Sequence, residues 1–398
     1  MNSTIKNIEI IEMGEKSRET SSPWSSTILL VKLTSADGLV GYGEAPTTLM
    51  TLPVLESMKE VARVFNGKDF FNVEQNVFDF YRNSFYLPVS MEATSALSAF
   101  EIASWDLIGK QLGAPVYKLM GGEVNKKMRA YANGWYNDCV SPEDFLKKAK
   151  EVVKMGFTAM KFDPFGDNYD SISNDGLENA KNIVGTLRSE LGDKIDLLIE
   201  YHGRFSKIAA IKAGMALEEY HPFFYEEPLH PDLDHDLLDL KSYYRVPIAL
   251  GERVLNKKIF ARFISQKLVD IIQPDLTNSG GILEGKKIAA IADGFGIPVA
   301  PHNAFGPIQT AATLNLDTTI TNFIIQESFE MFWPDWKKKL VSGGYKLENG
   351  YFSLTGEPGV ARVNEDIVEK YQVSGMEPFD DKEPPWVVSG TFKPYQQK

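Results

Sequence analysis

Apolar positions recur along this chain in two rhythms. Thr27 to Thr34 is an apolar, β-branched run, and Leu39 to Glu44 is a second. Ala36-Asp37-Gly38 between them has turn chemistry, so the pair predicts a β-hairpin. Met91 to Leu112 then places Ala93, Ala96, Leu97, Phe100, Ala103, Trp105, Leu107 and Ile108 along a broad apolar face. That spacing predicts a helix, stopped by Gly113-Ala114-Pro115. Residues 1–125 therefore read as an α+β module.

From residue 126 short apolar strands alternate with helical stretches. Eight strands are predicted: Met128–Ala132, Ala159–Phe162, Leu197–Glu200, Phe223–Glu226, Ile248–Gly251, Val269–Gln273, Pro298–Pro301 and Phe323–Gln326. Helical segments between them include Pro142–Met155, Gly176–Leu191, Ser206–Tyr220 and Glu284–Phe295. This α/β alternation predicts parallel β/α units. Eight of them over residues 126–340 fit a (β/α)8 barrel, or TIM barrel, better than an open sheet. A further hairpin signal, Tyr345 to Leu354 around Asn349-Gly350, opens the segment 341–398. That tail is expected to return to the first module.

Length and charge narrow the function. The 398 residues suffice for two or three domains, and the net charge of −12 argues against a nucleic-acid or anionic-membrane binder. A single cysteine, Cys139, excludes an internal disulfide and a Cys-rich zinc site. Met1 to Glu15 carries charges and no apolar signal core, and no run approaches the ~20 apolar residues of a membrane span. The expected location is the cytoplasm.

Barrel chemistry sits at the C-terminal ends of the strands. Those ends carry Lys161 and Asp163, Glu200 and His202, Glu226 and Glu227, Glu252, Asp275, His302, and Glu327. From Glu200 onward an ionisable group recurs roughly every 25 residues, about one β/α unit. Taken singly, each is readily a solvated rim charge, a core histidine or a surface ion pair. Together they exceed what a core requires, because buried charge is costly unless paired or metal-bound. Three successive carboxylates suit a hard cation such as Mg2+. A zinc site is disfavoured, since His221, His230 and His235 lie away from the strand ends. Glu227 reads as structural, because only one of the Glu226–Glu227 pair can point inward. Ser279-Gly280-Gly281 suits either an anion at a helix start or a simple turn. Gly41-Tyr42-Gly43-Glu44 lacks the third glycine of a dinucleotide fingerprint.

These residues resemble the enolase superfamily, mandelate racemase subgroup, over nearly the whole chain: a capping domain, a modified (β/α)8 barrel and a C-terminal tail completing the cap. Tyr131-Ala132-Asn133-Gly134-Trp135-Tyr136, Lys161-Phe162-Asp163-Pro164-Phe165-Gly166, His202-Gly203-Arg204-Phe205, Gln273-Pro274-Asp275-Leu276-Thr277-Asn278 and Pro385-Trp386-Val387-Val388 are similar to the archaeal gluconate dehydratases. The resemblance implies Mg2+ held by Glu200, Glu226 and Glu252. It implies an Asp275–His302 dyad as the base and His202 as the acid for the leaving group. It further implies that Lys161, Asp163 and Glu327 meet the substrate, with Lys161 offsetting charge on the deprotonated acid. The implied reaction takes D-gluconate, and also D-galactonate, to a 2-keto-3-deoxy acid, and the implied assembly is a homo-oligomer, such as an octamer.

Two departures from the subgroup matter. The first metal position is Glu200 rather than the usual Asp. The Lys-x-Lys pair reads Lys161-x-Asp163, which removes the second base that a racemase needs. Other readings stay open: dehydration of another 2R acid such as xylonate, a sugar-acid epimerase, a non-catalytic sugar-acid binder, or a metal-independent structural oligomer. Substrate choice is expected from capping loops within Lys16 to Thr27 and Ala45 to Leu52, with Leu49 as a pocket wall and Trp24 as either a pocket wall or part of the module core.

Overall fold

A computed structural model describes residues 2–15, 27–47, 51–83, 90–137 and 139–375. The first module is built on a four-stranded antiparallel sheet. Ile5–Gly14 lies between Thr27–Ser35 and Gln372–Val373, and Val40–Ala45 takes the far edge. The expected hairpin is present. The strand Ile5–Gly14 was not evident from the sequence, because a register shift between Ile5 and Asn7 breaks its apolar alternation.

Strand alternation gives the sheet two buried faces. Leu29, Val31 and Leu33 pack with helices Thr51–Phe65 and Met91–Leu112, while Ile28 and Leu30 join the barrel's core. Helix Met91–Leu112 is capped by Ser90, whose side chain accepts from the Ala93 amide, and closed by left-handed Gly113. It is buried nearly all round rather than on one face. The sheet presses on one side of it and the barrel on the other.

Six barrel strands run parallel in order: Met128–Ala132, Ala159–Phe162, Asp196–Glu200, Phe224–Glu226, Ile248–Leu250 and Ile271–Ile272. The seventh shrinks to a bridge at Val299, between Ile272 and Phe323. Pro298 and Pro301 flank it and cannot donate to a ladder. Gln326–Ser328 then pairs with Met128–Ala132 and closes the ring. One side chain from each strand region, including Tyr131, Leu198, Phe224 and Ile325, forms an apolar floor inside it. Helices Lys257–Ser265 and Pro307–Asp317 add to those expected.

The tail divides. Strand Tyr351–Leu354 of its hairpin pairs with barrel strand Met128–Ala132, whereas Gln372–Val373 reaches the capping sheet. Trp24, Leu49 and the motif Pro385-Trp386-Val387-Val388 lie outside the described residues. Among the described residues no helix is long and apolar enough to cross a membrane.

Candidate active site

Lys161 ends the second barrel strand and is 1% exposed. Its Nζ lies 2.8 Å from Glu200 Oε2, 2.5 Å from Glu226 Oε1 and 3.0 Å from Glu327 Oε1. The Tyr131 ring of the apolar floor stands 5.7 Å from the ammonium. Burying an ammonium costs several kcal/mol unless partners repay it. Here burial pulls the pKa down, but the three carboxylates outweigh it and hold Lys161 well above the usual lysine range.

The carboxylates respond unequally. Burial opposes ionisation in each, yet Lys161 holds Glu200 and Glu327 below the usual carboxylate range. Burial and then the charge of Glu200 push Glu226 up. Glu252 is raised chiefly by burial, against the opposing effect of His302. Glu226 also accepts from Gln273 Nε2 at 2.7 Å. Glu327 accepts from Asn133 Nδ2 at 2.7 Å and from the Asn303 amide at 2.9 Å. Asn133 and Gln273 were given no role in the sequence; their signals are their places in the quoted motifs and just past strands Met128–Ala132 and Ile271–Ile272.

Two histidines stand at this mouth, each held by its own carboxylate. His302 Nδ1 lies 2.6 Å from Asp275 Oδ2. Asp275 is fully buried, and its Oδ1 accepts from the Thr277 amide at 2.7 Å and the Thr277 hydroxyl at 2.6 Å. The other ring nitrogen, Nε2, is 3.2 Å from Glu252 Oε2. Burial opposes the charged ring, but Glu252, Glu327 and Asp275 raise the His302 pKa to about 10.

His202 Nδ1 lies 2.8 Å from Asp163 Oδ2. Its backbone is left-handed, at φ 51°, which is strained for a residue with a Cβ. The His202 amide donates to Glu200 Oε1 at 2.8 Å and so ties the strained residue to the carboxylate cluster. Glu227, also left-handed, pairs with Arg253.

Asp163, expected to meet substrate, is held by partners within the chain. Its Oδ1 accepts from the Phe165 amide at 2.9 Å and Arg204 at 2.5 Å, while Oδ2 holds His202. With both oxygens engaged inside the chain, Asp163 is a partner of His202. Nor do Lys161 and Asp163 form a surface ion pair, since both are buried. At the Ser279-Gly280-Gly281 turn the helix start does meet an anion, but it is the chain's own Glu101. Its carboxylate accepts from the amides of Ile282 at 2.7 Å and Leu283 at 2.9 Å.

Among the described residues no three His, Cys, Asp or Glu groups already stand at coordination spacing. Glu226 is engaged by Lys161 and Gln273, and Glu252 by His302. The donor chemistry nonetheless fits a hard divalent cation. Buried carboxylate oxygens outnumber the cationic groups, and burial raises Glu226 and Glu252 even with Lys161 and His302 beside them. Glu200, Glu226 and Glu252 are the residues that could hold it.

A capped barrel with buried carboxylates around a lysine and an aspartate-held histidine at its mouth is the architecture of enolase-type enzymes. Residues 15–121 match the mandelate racemase / muconate lactonizing enzyme N-terminal domain, and residues 144–365 match the enolase C-terminal domain-like family. The chain belongs to this mandelate racemase / muconate lactonizing enzyme family. It is 63% identical, over 98% of its length and 100% of the relative's, to the D-gluconate/D-galactonate dehydratase of Picrophilus torridus. It is 40% identical to the D-gluconate dehydratase of Thermoproteus tenax, covering 98% of this chain and 78% of that one. A mandelate racemase/muconate lactonizing enzyme from Sulfitobacter sp. has the same fold, with TM-score 0.86 and 30% identity over 94% of this chain and 97% of that one.

Proposed function

We propose that this protein is a Mg2+-dependent hydro-lyase that dehydrates D-gluconate, and D-galactonate, to the 2-keto-3-deoxy acid. The observation that carries the reading is the pair of histidines, each bound through Nδ1 to its own carboxylate, His302 to Asp275 and His202 to Asp163. That leaves Nε2 as the proton-transfer atom of each ring. Elimination of water needs two such groups, one to take a proton and one to give it.

His302, neutral once its Nε2 is released from Glu252, takes the proton from C2 of the acid through that nitrogen, and Asp275 stabilises the imidazolium that results. The electron pair left at C2 forms the C2–C3 double bond as the C3–O bond breaks. His202 delivers a proton to the departing hydroxyl, which leaves as water. The enol then tautomerises to the 2-keto-3-deoxy acid. Glu200, Glu226 and Glu252 would hold Mg2+, whose charge would offset the negative charge that gathers on the substrate carboxylate. Lys161 and Glu327 lie in the same cluster, where the buried ammonium stabilises that charge further. Asp163 positions His202.

The test incubates purified protein with Mg2+ and a panel of C5 and C6 aldonic acids, with an EDTA control, and assays 2-keto-3-deoxy acid. EDTA-sensitive product from gluconate, with galactonate second, is expected. Absence of product from every acid would overturn the reading. Product from xylonate alone would move the substrate to a five-carbon acid.

A further inference from the structure

Gly41-Tyr42-Gly43-Glu44 has no part in the chemistry described so far. Gly41 and Gly43 lie against helix Met91–Leu112, where a Cβ would come within 2.4 Å of the Ala103 carbonyl oxygen and 1.8 Å of the Ala99 one. Glu44 is instead aimed out of the cap and into the barrel. It is 1% exposed, and its Oε2 accepts from the amides of Ile308 at 3.1 Å and Gln309 at 3.0 Å. These amides open helix Pro307–Asp317, so the carboxylate sits where the helix dipole favours it. Burial raises the Glu44 pKa to about 7, against the opposing effect of the buried Lys337 and of the two amides.

The same turn carries the Gln309 side chain. Its Oε1 accepts from the Phe305 amide at 2.7 Å, which turns Nε2 toward Asp275 Oδ2 at 2.8 Å. That oxygen is the one bound to His302 Nδ1. A continuous path of contacts therefore runs from the capping sheet to the histidine of the barrel mouth. Thr277 fixes only Oδ1 of Asp275; Gln309 supplies the donor to Oδ2 that, beside His302, sets the carboxylate plane.

We propose that Glu44 and Gln309 are positioning residues, through which the seated cap holds Asp275 and, through it, one orientation of the His302 ring. The proposal rests on the reading of His302 as the base. Glu101 provides an internal control. It docks the cap onto Ile282 and Leu283 in the same manner, but those two apolar side chains can make no hydrogen bond to Asp275.

The experiment compares Gln309→Leu, Glu44→Ala, Glu44→Gln and Glu101→Gln in the full-length protein with Mg2+ and gluconate. It reads kcat, KM, C2 proton exchange in D2O and thermal stability. Gln309→Leu and Glu44→Ala are expected to lower kcat and exchange together by about tenfold, the worth of one hydrogen bond to a charged group, with KM nearly unchanged. Glu44→Gln, which keeps an oxygen for the two amides, recovers most of the loss. Glu101→Gln leaves kcat at the wild-type value. Wild-type kcat in Gln309→Leu would overturn the proposal. So would equal kcat losses in Glu44→Ala and Glu101→Gln, which would make Glu44 a docking contact only. His302→Asn in the same assay separates the two readings. Retained exchange there removes His302 as the base, whereas lost exchange with a fully active Gln309→Leu removes only the positioning role.

Discussion

Asp163 Oδ2 lies 2.8 Å from Nδ1 of His202, and this contact gives a place to the residue that departs from the subgroup's Lys-x-Lys pattern. A lysine there would be a second base. An aspartate instead orients a neighbouring histidine through its Nδ1. Arg204, then His202 itself and the Phe165 amide, hold the carboxylate below the usual range despite burial.

Asp163→Asn keeps an acceptor for Nδ1 but withdraws that charge. Dehydration is expected to fall about ten- to a hundredfold, the lower range of what a general acid supplies. C2 proton exchange persists, because His302 is untouched. Parallel assays of 2-keto-3-deoxy acid and of the C2 proton by NMR check this. Equal loss of both activities would contradict the assignment.

Lys161 is the cation shared by Glu200, Glu226 and Glu327 at the barrel centre. Lys161→Met leaves these carboxylates buried without their cation, a change that costs about 3 kcal/mol. The metal-free variant is expected to melt well below the metal-free wild type, and Mg2+ to restore a larger share of stability to the variant. Thermal denaturation with EDTA and with Mg2+ reads both. An unchanged melting temperature in EDTA would show that the lysine is not the charge balance of the empty cluster.

Glu101 links stability to pH. Burial raises its pKa from 4.5 to about 7, against the donors Leu283, Ile282 and Trp105. The folded protein therefore keeps this proton over a range in which the unfolded chain has lost it. The resulting stabilisation is complete below pH 4.5 and is lost as pH rises through 7. Over that window it amounts to roughly 3 kcal/mol. Glu101→Gln does not titrate, so it loses less stability than the wild type between pH 5 and pH 8. Denaturation curves of both proteins at the two pH values measure the difference; parallel losses would contradict it.

The barrel was legible because each β/α unit is local: one apolar strand, a turn and one helix. The same regularity exposed Glu200, Glu226, Glu252, Asp275, His302 and Glu327, since barrel geometry puts every strand end at one mouth. The seventh strand survives only as a bridge, because the prolines that mark it also remove its donors. Glu44, Glu101 and Gln309 were hidden for another reason. Glu44 meets Gln309 across 265 residues and Glu101 meets Leu283 across 182, and no local period records such a pairing. The glycines of Gly41-Tyr42-Gly43-Glu44 resembled half a nucleotide motif; they are close-packing contacts against a helix. The pairing of Asp163 with His202 was hidden because the two come from neighbouring strands.

The central claim is a division of labour between two histidines, and deuterium incorporation at C2 of gluconate tests it most directly. His302→Asn and His202→Asn are incubated with Mg2+ and gluconate in D2O, and the C2 proton signal is followed alongside product. The expected result is no exchange and no product from His302→Asn, with exchange but at least about a hundredfold less product from His202→Asn. Exchange by His302→Asn, or its loss in His202→Asn alone, would contradict the account.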